Sequence, residues 1–175
     1  MNMKKDGCET GEIYVPGLDI CVDKSIIPHI RKLNSMGHRT ESSCSGTQTD
    51  HRGRDDNLFL YGAHIAFDTG DAIVSTGNKL EPKDKEYMKC VEKSLSDAGF
   101  KPQTKISLLS RKVGNKNRWG MISITSGGTP HSRKPVVQDR ELLHSWNRLV
   151  KNMEECKKLI PEFGLPLPYE LEYIW

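Results

Sequence analysis

Seven consecutive residues, Glu41-Ser42-Ser43-Cys44-Ser45-Gly46-Thr47, hold the densest chemistry in the chain. Hydroxyls and one thiol beside a glycine make a poor core strand and a poor helix, but a serviceable wall for a small ligand. Gly46 lets the chain leave a strand with positive φ and lets a ligand approach the backbone. The same residues also suit a polar strand end followed by a turn. Downstream, Asp50 and His51 lie in a polar stretch, 47–57, without an apolar anchor; such loops are usually functional or mobile. Either residue is a candidate to take a proton in a transfer reaction. Cys44 as a nucleophile needs a lowered pKa and a base, with His38, His51 and His64 as candidates. A metal site from Cys44, His51 and His64 lacks any close-spaced ligand pair, so the sequence gives it little support.

The elements that must position these residues can be read from periodicity. Ile13-Tyr14-Val15 reads as a short strand ended by Pro16-Gly17. Ile26, Ile27, Ile30 and Leu33 recur at helical spacing, which predicts a helix from about Ile26 to Met36. Asp23 or Ser25 offers its N-cap, Pro28 fits its first turn, and Gly37 is placed as a left-handed cap. Residues 38–43 and 62–68 read as strands. A second helix is expected over 82–98, with Tyr87, Met88, Val91, Leu95 and Ala98 near one face and Gly99 capping it. Strands at 103–110 and 119–126 follow, joined by a basic tip, Lys112–Arg118. A last helix is expected over 139–160, with Leu142, Leu143, Trp146, Leu149, Val150 and Met153 as its apolar stripe. Pro161, Pro166 and Pro168 stop it, and the apolar tail Leu171–Trp175 would pack on the body or a partner.

Two units of helix, glycine, strand and strand thus lie in tandem, at about 12–72 and 82–128, a pattern of internal duplication. The expected fold is α/β or α+β, a mixed sheet flanked by helices in a single domain over 1–175.

The 175 residues carry a net charge of only +3, which neither demands nor excludes nucleic acid. The distribution says more. Lys101–Lys134 holds no Asp or Glu, and its Arg111, Lys112, Lys116, Arg118, Arg133 and Lys134 can meet phosphates, as can a solvated hairpin. Trp119 could stack on a base or belong to the core. The five cysteines are odd in number and scattered, which argues against a disulfide framework or zinc ribbon and for free thiols. With no apolar stretch long enough for a membrane span or signal peptide, a cytoplasmic protein is expected.

The segment "DKS" with "IPHIRKLNSMGHRTESSCSG" resembles the wybutosine-synthesising methyltransferase family, whose members methylate a tricyclic guanosine beside the anticodon of phenylalanine tRNA. The family pattern is a helix ending near "LIN", then "T-x-SSCSGR". Here Leu33-Asn34 and Thr40–Gly46 fit it, Thr47 stands in place of the arginine, and "DAGFK" at 97–101 resembles the family's helix exit. The same stretch is similar to small uncharacterised proteins. The resemblance implies S-adenosylmethionine as cofactor, tRNA as partner, and Ser42, Ser43, Cys44, Ser45, Gly46 and Asp68 (or Asp71) around the methyl donor. Gly127-Gly128 would form an anion-binding concavity, and Asp50 and His51 would be catalytic. The alternative is a small-ligand- or RNA-binding module that keeps the pocket without methyl transfer.

Overall fold

The computed structural model describes residues 8, 11–18, 20–51, 63–68, 82–113, 116–128 and 135–160, with the backbone alone at 41, 68, 82–84, 104–113, 116–128 and 135–136. A first hairpin pairs β1 (Glu12–Val15) with β2 (Ile20–Asp23). A 3-10 turn, Lys24–Ile26, leads into α1 (Ile27–Ser35). Then come β3 (Arg39–Cys44), β4 (Ala63–Asp68), α2 (Pro82–Ala98), β5 (Phe100–Val113), β6 (Lys116–Gly128) and α3 (Pro135–Cys156). The four longer-range strands form one sheet in the order β3-β4-β6-β5. Two helix–hairpin units therefore sit side by side, joined where β4 meets β6.

The class is α+β, and the expected mixed sheet is corrected: every described strand pair is antiparallel. Each hairpin closes on itself and the two meet through β4 and β6, so no parallel crossover is made. The described helices follow the expected periodicity. Tyr87, Val91, Leu95 and Ala98 of α2 and Trp146, Leu149 and Met153 of α3 are fully buried. With Ile30 and Leu33 of α1 they cover one sheet face, meeting Ala63, Ile65, Phe67 and Phe100. Burying a side chain such as Phe67 contributes about 3 kcal/mol. Gly37 and Gly99 adopt the positive φ of helix caps, +95° and +96°. None of the described helices is long and apolar enough to cross a membrane.

Three expectations change. Residues 20–23, for which the sequence pattern predicts no element, form a strand, and Asp23, an N-cap candidate, makes no side-chain cap to the turn that follows. The basic tip narrows, because β5 runs to Val113 and β6 resumes at Lys116. The free-thiol reading also falls: Cys8 pairs with Cys21, and Cys90 with Cys156, leaving Cys44 as the free cysteine. Sequence spacing could not reveal these bonds, since α2 and α3 bring Cys90 and Cys156 together across 66 residues, to a Cα separation of 5.7 Å. That separation is normal for a disulfide. Arg133, Lys134, Asp71, the 52–57 part of the polar loop and the tail lie outside the described residues.

His38 is buried between layers. Its Nε2 lies 3.0 Å from the Met153 carbonyl and its Nδ1 2.7 Å from the Tyr87 hydroxyl. A carbonyl only accepts, so Nε2 carries the proton and Nδ1 accepts from Tyr87. His38 stacks on the Tyr87 ring at 5.8 Å, away from Cys44.

Burial pushes the His38 pKa below 6.5, against the Met153 carbonyl and Glu154, which raise it, and with Lys157, which lowers it. A depressed histidine pKa contributes stability at pH above 6.5 that is lost as pH falls through the folded value. His38 is therefore expected to lower the melting temperature as pH drops from 7.5 to 5, read in paired thermal scans as the loss of wild type relative to His38→Gln over that range. Reduction should also cost stability. A loop of 66 residues is worth roughly 4 kcal/mol by chain entropy, so urea unfolding of Cys156→Ala should shift by up to that amount, with thiol counts verifying the lost bond.

Candidate functional site

Gly46 turns the chain out of β3 with φ of +68°, and residues 45–51 fold back over the strand end. The Asp50 carboxylate holds this loop. It accepts from the Ser45 hydroxyl at 2.7 Å and the Thr47 hydroxyl at 2.9 Å. It also accepts from the Ser25 backbone N–H at 3.3 Å and from the Ser25 hydroxyl. Thr47, where the resembled family has arginine, is buried in this network. Two residues of α3 fix the outer side of the loop. Asp139 accepts from the Gln48 and Thr49 N–H groups at 2.7 and 3.1 Å, and Trp146 Nε1 donates to the Ser45 carbonyl at 3.2 Å. Gly11 packs so tightly that a Cβ there would stand 1.7 Å from the Asp50 carbonyl oxygen. Only glycine fits, and its φ of +93° also requires one.

The folded loop brings His51 to Cys44. His51 Nε2 lies 3.2 Å from Cys44 Sγ and 3.3 Å from Asp23 Oδ2. Asp23 is fully buried and also accepts from the Ser45 N–H at 2.6 Å. Its Oδ1 has no hydrogen-bond partner among the described residues.

The electrostatics follow from these contacts. Asp23, then Cys44, raises the His51 pKa to about 10, overcoming burial. Burial pushes the Cys44 thiol up, but hydrogen bonds with His51 and His64 and the Gly46 backbone outweigh it, even against the Asp23 charge, and the net shift is downward. For Asp23 too, burial is outweighed by His51 and Ser45, and its pKa falls. An imidazolium therefore sits between a carboxylate and a thiol whose ionisation is eased.

Register shows how the remaining candidates are placed. Cys44 pairs with His64, His64 with Gly127, and Gly127 with Lys101. Directly paired residues share a face, so this rung lies on the face opposite the helices, where Gly127 leaves room beside His64. Ser42 and Ala66 form part of the next rung. Ser43, paired with Ile65, and Ser45 alternate toward the helix side. Ser42 and Cys44 thus share one face, and the five wall residues do not line up on it together. Asp68 pairs with Arg39 at the far end of β4, roughly 13 Å along the strand from His64. Asp50 is engaged by its four donors and His51 by Asp23 and Cys44.

Reasoning from sequence missed Asp23, Ser25, Thr47, Asp139, Trp146 and Gly11 as parts of the site. The spacing of Asp50 to Ser45 and Thr47 was a visible signal of a local side-chain network; the other partners come from distant segments.

No protein-family model, curated protein or solved structure matches this chain.

Asp50→Ala would strand several buried donors, each costing about 1–3 kcal/mol. Urea unfolding should show a loss of about 3 kcal/mol or more for this variant. Asp139→Ala, at the outer side, should lose about 1 kcal/mol.

Proposed function

We infer that the chain is an S-adenosylmethionine-dependent methyltransferase-like protein that modifies tRNA, with a wybutosine precursor as substrate. The observation that carries the RNA part is the length mismatch in the sheet. β5 and β6 span 14 and 13 residues, while β3 and β4 span 6 each. β4 pairs only with Ser123–Gly128 of β6, so the distal half of the β5–β6 hairpin continues as a two-stranded ribbon. On that ribbon Arg111 is paired with Arg118, and Lys112 with Asn117. The run Lys101–Lys134, basic and without Asp or Glu, suits a phosphate backbone. The ribbon end at Lys116 lies roughly 35 Å along the strand from Gly127, beside His64. An RNA held on the ribbon can reach from there to the rung of Cys44 and His64.

The methyl donor rests on the resemblance across Asp23–Gly46. Ser42, Cys44 and the Gly46 backbone would contact it on the face away from the helices. Asp50 and His51 are both engaged, and His64, across the strand pair from Cys44, is a further candidate to take a proton. The two helix–hairpin units are read as copies of one ancestral element. A tRNA substrate implies the cytoplasm, with the two disulfides as intracellular ones, known from hyperthermophiles.

A second reading, an RNA- or small-ligand-binding module without methyl transfer, is favoured by one observation. The two residues expected to move a proton, Asp50 and His51, are both held in fixed ion pairs or hydrogen bonds.

Calorimetric titration separates the two. Saturable binding of S-adenosylmethionine or its demethylated product is expected, together with salt-dependent tRNA binding. Arg111→Ala with Arg118→Ala should lower the slope of log K against log salt by about 1.5–2. RNA binding without donor or product binding at millimolar concentration would leave the module reading.

A further inference from the structure

The geometry points to a transition-metal site, best suited to Zn²⁺, formed by Asp23, Cys44 and His51. It is independent of the methyl-donor reading, because its three ligands stand together whether or not a second ligand binds. Their donor atoms, a carboxylate oxygen, a thiol sulfur and an imidazole nitrogen, all lie within 4.8 Å of one another. They come from three places in the chain: the end of β2, the end of β3 and the folded loop.

Two features separate this cluster from a nucleophilic triad. In a cysteine–histidine–carboxylate triad the imidazole presents one nitrogen to the nucleophile and the other to the carboxylate. Here the same nitrogen, His51 Nε2, faces both Cys44 Sγ at 3.2 Å and Asp23 Oδ2 at 3.3 Å. A single N–H can only be shared between the two acceptors, whereas a cation between the three atoms is attracted by all of them. Zn–S bonds of about 2.3 Å and Zn–N or Zn–O bonds of about 2.0–2.1 Å at tetrahedral angles give edges of roughly 3.3–3.6 Å. The two measured edges lie within a few tenths of an ångström of that.

The second feature is Oδ1 of Asp23, which has no hydrogen-bond partner among the described residues and belongs to a residue with no exposed surface. A buried carboxylate oxygen with no donor is unfavourable, and a cation held by the same carboxylate compensates it. Ser45 N–H, bonded to Asp23 Oδ2 at 2.6 Å, orients that carboxylate, as outer-shell partners of metal ligands do. Three protein ligands with the fourth position left to a small molecule is the pattern of an open zinc centre. On binding, Cys44 and His51 each lose any proton they carry to solvent as the Zn–S and Zn–N bonds form, with no change of oxidation state.

The other cysteines make the test clean. The chain has five cysteines and four are in disulfides, so a thiolate–metal signal belongs to Cys44. The tag-free chain, with disulfides intact and without thiol reductant, is titrated with Co²⁺ and then Zn²⁺. The expected result is a saturable near-ultraviolet thiolate-to-cobalt band at one equivalent, displaced by Zn²⁺. Cys44→Ser should abolish the band, and Asp23→Asn and His51→Gln should each weaken binding roughly 100-fold, since even outer-shell losses cost 10–100-fold. No saturable band up to millimolar Co²⁺, a band that survives Cys44→Ser, or unchanged affinity in both Asp23→Asn and His51→Gln would overturn the site. A measurement on the wild type stands apart from any folding defect of the variants. Zn²⁺ should slow alkylation of Cys44 at least about tenfold, and an unchanged rate would overturn the assignment.

Discussion

The Asp50 carboxylate is the constraint on which the functional end of this protein depends. It gathers the Ser45 and Thr47 hydroxyls of its own loop and the Ser25 N–H and hydroxyl of the turn after β2. A buried carboxylate is tolerated when several donors replace its lost water. That requirement works in reverse as a structural device. Each donor must converge on one point, so the first hairpin, the end of β3 and the loop are locked into one register. Gly11 against the Asp50 backbone and Trp146 on Ser45 close the remaining directions.

From that lock the chemistry of Cys44 follows. His51 reaches the thiol only because the loop folds back over the strand end, and Asp23 reaches both because β2 ends beside β3. Burial alone would make Cys44 an inert thiol and Asp23 a reluctant anion. Paired hydrogen bonds reverse both tendencies. The resulting cluster of donors has the composition that borderline-soft metals prefer. Its thiol sits at a strand end, where Cys44 pairs with His64.

The rest of the fold divides labour along one hairpin. The proximal parts of β5 and β6 complete the sheet and carry Phe100 into the core, against Trp146 at 5.2 Å. The distal parts leave the sheet as a basic ribbon. A free two-stranded ribbon is only marginally stable in water. In the helix layer, the Cys90–Cys156 bond joins α2 to α3. The position of Ser94 against Cys156 and the Asn152 amide on the Ser94 carbonyl tie the same pair of helices.

The amino-acid sequence by itself determined the helices and most strands. The spacing of Tyr87, Val91, Leu95 and Ala98, the caps at Gly37 and Gly99, and the turn at Gly46 are local properties, carried by periodicity and backbone sterics. It also pointed to the stretch around Cys44 and to His51. Only tertiary structure decided what those residues face. Strand alternation sent Ser43 and Ser45 away from Cys44, and chain crossing brought Asp23 to it from 21 residues upstream. Cys90 met Cys156 for the same reason, where the cysteine spacing had suggested free thiols. Hydrogen bonds and ligand clusters act over about 3 Å, and sequence separation carries almost no information on that scale once strands and helices have packed.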